Sequence, residues 1–207
     1  HLGINTIGIP GTIDLDISST DYTLGFDTAV NTAMEAIDKI RDTSSSHERC
    51  SIIEVMGRHC GDIALYAAVS GGAECVLLPE KEDDIDKICK KILDGIGRGK
   101  LHSILIKAEG AKITSDELVR VIEEKTGKET RLIVLSYLQR GGSPTMNDRM
   151  LATLCGAKAV ELLVAGKGNM AVGTRNGNII AEDLKKALNA ERRFDENLYE
   201  LVNVLSK

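Results

Sequence analysis

Short, almost wholly apolar runs recur along the chain at INTIGIP (4–10), SIIEVMG (51–57), CVLLP (75–79), HSILIKAEG (102–110), TRLIVLSYLQ (130–139) and MAVGTRNG (170–177). Each reads as a strand. Between them the period changes. TAVNTAMEAIDKI (28–40) carries Val30, Met34, Ile37 and Ile40 at helical spacing behind a capping Asp27. DIALYAAVS (62–70) is a helix ended by Gly71 and Gly72. DDIDKICKKILDGI (83–96) puts Ile85, Ile88, Ile92 and Leu93 on one face, and SDELVRVIEEKTG (115–127) starts from an N-cap Ser115. TMNDRMLATLCGAKAVELLVAG (145–166) is a long helix with Gly156 in mid-course, and two shorter helices fall near 182–189 and 195–205.

Strands and helices alternate throughout, which predicts an α/β architecture with mostly parallel sheets and right-handed crossovers. Strands that are apolar on both faces fit sheets covered by helices on either side. In such folds ligands gather beyond the carboxyl ends of the strands, so the residues just after each strand are where chemistry is sought.

The segment GTIDLDIS (11–18) alternates Thr12, Asp14 and Asp16 with Ile13, Leu15 and Ile17. A half-buried strand with one wet face gives that pattern unaided. The other strand ends change the picture. EVMGRHCGD supplies Arg58, LSYLQRGGSPT supplies Arg140 and KAEG supplies Glu109. If the strands are parallel, these groups line one edge together with the two aspartates. In RGGSPT, Ser143 and Pro144 read as N-cap and first residue of a helix, whose free amides suit an anion.

Arg49 precedes the strand that Arg58 follows, and Arg131 opens the strand that Arg140 follows. At ~3.3 Å per residue each pair spans roughly 30 Å, so one small ligand cannot meet both members within a chain. Arg49 and Arg131 are then solvated charges, or they serve a second site, such as one shared with a neighbouring subunit.

Composition narrows the classes. The chain has 207 residues, 43% hydrophobic and 28% charged, as in a soluble globular protein of one large domain or two small ones. Its net charge of −5 argues against a nucleic-acid binder. No apolar run is long enough to span a bilayer, which predicts no membrane partner. The five cysteines form no CxxC pair and suit reduced thiols in a cytoplasmic protein. His47, Cys50, His59 and Cys60 fit no zinc spacing, so no metal site is expected.

PGTIDLDI, GFDTAVNTAMEAIDKIRDTSSSHER, EVMGRHCGD and LQRGGSPT together resemble the bacterial ATP-dependent 6-phosphofructokinases, in order and at the family's spacing. The resemblance implies two Rossmann-like three-layer α/β/α domains. The first would be incomplete, made of 1–25 and 138–188, and the second, which binds substrate and effector, of 26–137 and 189–207.

The resemblance further implies phosphoryl transfer from ATP, with Mg²⁺, to the 1-hydroxyl of fructose 6-phosphate. Asp14 is then the catalytic base, with Thr12 and Asp16 positioning it, and Arg58 offsets charge on the transferring group. Met56, Gly57 and Glu109 would line the sugar, Arg140 and Tyr137 would hold its 6-phosphate, and Thr12, Ile13, Asp14, Arg58, Leu138 and Gln139 would complete the substrate-binding residues. Arg49 and Arg131 would reach that phosphate from an adjacent subunit of a homotetramer. Arg41, Gly72, Ala73, Glu74, Arg98, Lys100, Leu101 and His102 correspond to a site for ADP or phosphoenolpyruvate as effector.

Three departures stand out. Leu15 replaces the family's Asn, and Tyr137 its usual His. The glycine-rich ATP loops and the main Mg²⁺ aspartate belong to an N-terminal portion with no counterpart in these residues, so the fragment alone is expected to be inactive. A pyrophosphate-dependent relative is the alternative chemistry, although Gly11 stands where such enzymes carry Lys. A non-catalytic subunit that binds sugar phosphate or nucleotide is the alternative outside catalysis.

Overall fold

The computed structural model describes residues 3–192 and 194–206. They divide into two units, one from within His1–Thr28 and Gly142–Arg193, the other from Ala29–Gly141 and Phe194–Lys207.

The first unit is a three-stranded sheet of β1 (Ile7–Gly8), β6 (Met170–Arg175) and β7 (Asn178–Asp183), in the order β1-β6-β7. β1 runs parallel to β6, and β7 antiparallel to it. The expected strand over 4–10 shrinks to two residues, and β7 was not anticipated. Asn176 and Gly177 join β6 to β7 with φ of 51° and 75°. Asn-Gly is the favoured pair for such a hairpin turn, so the signal was present inside the run read as one strand. Helix α5 (Met146–Val164) packs on this sheet and buries Cys155, Leu162 and Val172. α6 (Leu184–Leu188) follows β7. On the side of α5 away from that core, Met146, Met150, Leu154, Val160 and Val164 stay exposed, Val164 by 84%.

The second unit holds β2 (Cys50–Val55), β3 (Cys75–Leu77), β4 (Ser103–Ala108) and β5 (Thr130–Val134), all parallel, in the order β3-β4-β2-β5. With it go α1 (Phe26–His47) from Ala29 onward, α2 (Asp62–Ser70), α3 (Ile85–Gly97), α4 (Ser115–Thr126) and α7 (Glu196–Leu205). β4 is buried along its whole length, as the apolar run ILI requires between two neighbours and two covering layers. Cys50, Ile52, Leu77, Ile92, Leu105, Leu118 and Ile122 form one core cluster. Burial pushes the Cys50 thiol up to about 12 and Cys75 to about 11, so these are inert core side chains.

Several boundaries move for local reasons. Asp27 lies inside α1 rather than capping it. Thr114, not Ser115, caps α4, because Ser115 turns its hydroxyl to Glu54. Thr145, not Ser143, caps α5, its side chain accepting from Asp148 N. Leu93 is 45% exposed and leaves the face shared by Ile88 and Ile92. The strand expected to reach 139 ends at Val134. Ser136, at φ 44°, then opens a 3-10 helix over Ser136–Arg140.

Candidate active site

The carboxyl ends of the second unit's strands carry most of the expected substrate residues. After β2 the chain turns sharply through Gly57 (φ 150°) and Arg58 (φ 53°). A Cβ on Gly57 would lie 2.2 Å from Cys60 O, and one on Gly110 would lie 2.0 Å from Arg58 O. Neither residue can be anything but glycine without displacing the turn that presents Arg58. Glu109, just past β4, accepts at Oε1 from Gly57 N (3.2 Å) and Arg58 N (2.7 Å). Beyond β5, Gln139 is buried and its Oε1 accepts from Met56 N at 2.7 Å. Tyr137, Leu138 and Arg140 are exposed on the 3-10 helix, with the Arg140 guanidinium 5.9 Å from the Tyr137 ring centroid. That is cation–π range, so Tyr137 supports a neighbouring cation rather than adding one. Met56, Gly57, Arg58, Glu109, Gln139 and Arg140 thus share one sheet edge.

Thr12, Ile13, Asp14 and Asp16 belong to the first unit and follow β1. They form a bent loop in which alternation is lost: Thr12 through Leu15 are all half-buried. Thr12 Oγ1 accepts from Asp14 N at 3.2 Å, and Asp14 O accepts from Thr23 Oγ1 at 2.9 Å. The backbone of Asp14 is therefore fixed at both its amide and its carbonyl. The pattern that looked like a strand marks a loop whose hydroxyls fix the backbone that carries the Asp14 carboxylate.

The opposite edge of the parallel sheet, where strands begin, gathers the other arginines. Glu129 accepts from Arg49 Nε at 2.8 Å and also bonds Arg131. Those bonds, with Arg49 first, hold the Glu129 carboxyl below its usual range. Between α2 and β3, Gly72 takes φ 60°, Arg41 donates to Gly71 O, and buried Glu74 accepts from Ile104 N at 2.5 Å. Lys100 pairs with Glu74 at 2.8 Å. Ala73 is buried, whereas Arg98 and Leu101 are exposed and His102 is half-buried. The expected effector residues and the two far arginines therefore sit at strand starts, and the expected substrate residues of this unit at strand ends.

The start of α5, expected as an anion site, is tied to the start of α1. The Asp148 carboxylate accepts from Gly25 N and Thr28 N at 2.9 Å each, and Asn147 and Thr145 bond Asp27. The Asp148 carboxylate thus answers amides at the start of α1, while Asp148 N is taken by the Thr145 hydroxyl. Sequence reasoning also passed over Gly110 and Glu129. Glu-Gly directly after a buried strand was the available signal for Gly110; Glu129 carried none.

Residues 1–163 match the family model for phosphofructokinase. The chain belongs to the phosphofructokinase family. It is 56% identical over 206 residues to the ATP-dependent 6-phosphofructokinase of Clostridium botulinum, covering 100% of this chain and 64% of that protein. The chain thus spans less than two thirds of that relative's length. Phosphofructokinase from Saccharomyces cerevisiae matches with a TM-score of 0.86 and 32% identity, over 89% of this chain and 26% of that one. The pyrophosphate-dependent phosphofructokinase of Marinobacter aquaeolei matches with a TM-score of 0.82 over 98% of this chain and 60% of its own; at 24% identity that likeness is one of fold.

Proposed function

We propose that this chain supplies the sugar-phosphate half of an ATP-dependent 6-phosphofructokinase. The observation that carries the reading is the shared edge of the second unit's sheet. There a strained glycine turn presents Arg58, a carboxylate clamps that turn, and Arg140 stands beside a ring. Guanidinium groups match phosphate oxygens bidentately. The 6-phosphate of fructose 6-phosphate lies against Arg140 and Tyr137, and its hydroxyls against Met56, Gly57 and Glu109. Asp14 takes the proton of the 1-hydroxyl as the γ-phosphoryl of ATP is transferred, with Thr12 holding the loop and Asp16 beside it. Arg58 offsets charge on that group, in a reaction where positioning and electrostatics do most of the catalysis.

Among the described residues no group of three His, Cys, Asp or Glu side chains suits a metal ion. Mg²⁺ would arrive with ATP. Arg49 and Arg131, at the other edge, serve the phosphate of an adjacent subunit in a homotetramer. The Arg41, Gly72–Glu74 and Arg98–His102 cluster takes an anionic effector of the ADP or phosphoenolpyruvate class. No helix among the described residues is long and apolar enough to cross a membrane.

The test is a coupled assay on an enzyme of the relatives' full length that carries this chain, offered fructose 6-phosphate with ATP or with pyrophosphate. Turnover is expected with ATP. Asp14→Ser is expected to lower kcat by ~10²–10⁴-fold and to spare sugar-phosphate binding. Turnover with pyrophosphate alone, or an Asp14→Ser variant as fast as its parent, would sink the assignment.

A further inference from the structure

β2 stops pairing at Val55, yet the next three amides of the chain are all held. Toward β5 the last backbone rung is Leu135 N to Glu54 O at 3.0 Å. The following place is taken by a side chain: Met56 N donates to Gln139 Oε1 at 2.7 Å. Toward β4 the last rung is Glu109 N to Val55 O at 2.9 Å. There too a side chain continues the ladder, since Gly57 N and Arg58 N donate to Glu109 Oε1. Two side-chain oxygens thus prolong the sheet past its strands, one from each flank, and grip the turn that presents Arg58.

Gln139 differs from the residues beside it. Tyr137 is 76% exposed and Leu138 71%, and Arg140 is exposed too, whereas Gln139 is 1% exposed. Its Nε2 meets no acceptor among the described residues, so the oxygen is the half of the amide that the fold uses. A side chain so enclosed, with its acceptor committed to a backbone amide, is placed to hold the turn rather than to touch a sugar phosphate.

We propose that Gln139 is a positioning residue that fixes Met56–Arg58 from the β5 side, so that the turn carrying Arg140 and the turn carrying Arg58 keep one spacing. This rests on the reading of Arg58 as acting on the transferring phosphoryl group. Removing the oxygen frees the Met56 amide and lets Arg58 drift, which costs transition-state stabilisation more than substrate binding.

Two measurements test it. In the 207-residue chain, amide hydrogen exchange at Met56, Gly57 and Arg58 is compared between the parent, Gln139→Met and Gln139→Asn. The first variant removes the acceptor at similar length, and the second withdraws it by one methylene. Exchange at these amides is expected to speed up by about tenfold or more while Leu105, in mid-β4, stays protected. In an enzyme of the relatives' full length that carries this chain, Gln139→Met is expected to lower kcat by about tenfold or more with KM for fructose 6-phosphate within about threefold. Unaltered exchange would overturn the proposal, as would a raised KM with kcat intact, the mark of direct substrate contact. If the parent enzyme does not phosphorylate fructose 6-phosphate, the proposed function fails, and the exchange data alone still decide whether Gln139 holds the turn.

Discussion

At the scale of single residues, the sites of interest are those where the backbone departs from ordinary conformations. Arg58 and Ser136 both have positive φ, at 53° and 44°. For residues with a Cβ such a conformation costs roughly 1–2 kcal/mol. At Arg58 the surroundings leave no choice, since Glu109, Gly57 and Gly110 determine the turn. Ser136 is exposed, and its side chain faces no such demand. Ser136→Gly is expected to stabilise the chain by up to about 1 kcal/mol and to raise the melting temperature by about 2–4 °C. A lower melting temperature would show that the hydroxyl earns its place. These residues were legible in sequence to different degrees. Arg58, Arg140 and Glu109 announce themselves by standing after apolar runs. Gln139 stood in the same run, but nothing in one dimension distinguishes a glutamine that touches a ligand from one that replaces a ladder rung.

At the scale of elements, the apolar runs and helical periods located every strand of the parallel sheet and each long helix, because burial on two faces leaves a plain record in composition. Their ends were less legible. They depend on which of two nearby hydroxyls takes the cap, Thr114 rather than Ser115 and Thr145 rather than Ser143. The β6–β7 hairpin was missed because its two strands and its Asn-Gly turn merge into one mixed run. Inside the parallel sheet, Lys107 of β4 is 2% exposed and donates to Glu54 of β2 at 3.3 Å, while Ser115 also bonds Glu54. Breaking one member of such a pair leaves the other uncompensated, whereas replacing both by apolar groups is often neutral. Lys107→Met alone is expected to destabilise by about 3 kcal/mol in urea denaturation, and the double variant with Glu54→Leu by clearly less. If the double variant is the worse of the two, the pair is a net stabiliser and this account of it is wrong.

At the scale of the whole molecule, a parallel sheet has two chemically distinct rims. In the second unit one rim carries Arg58, Glu109 and Arg140, and the other carries Arg49, Glu129, Arg131 and the Lys100–Glu74 pair. The six residues of β2 separate them by about 20 Å. That division was implicit in the reach of the arginine pairs, which is why one ligand was never enough to explain them all. Nothing in the chain's own periodicity could report which side of α5 stays wet. Its outward row of methionine, leucine and valine reads like any buried helix. In water an exposed apolar row of this kind favours contact with another apolar surface. Raising the concentration of a salting-out ion such as sulfate should strengthen contacts between copies of the 207-residue chain. Sedimentation at low and high sulfate should show heavier species as salt increases, and Met150→Glu with Val164→Lys should remove them. Association that weakens with salt would mean that charge, and not this row, brings the copies together.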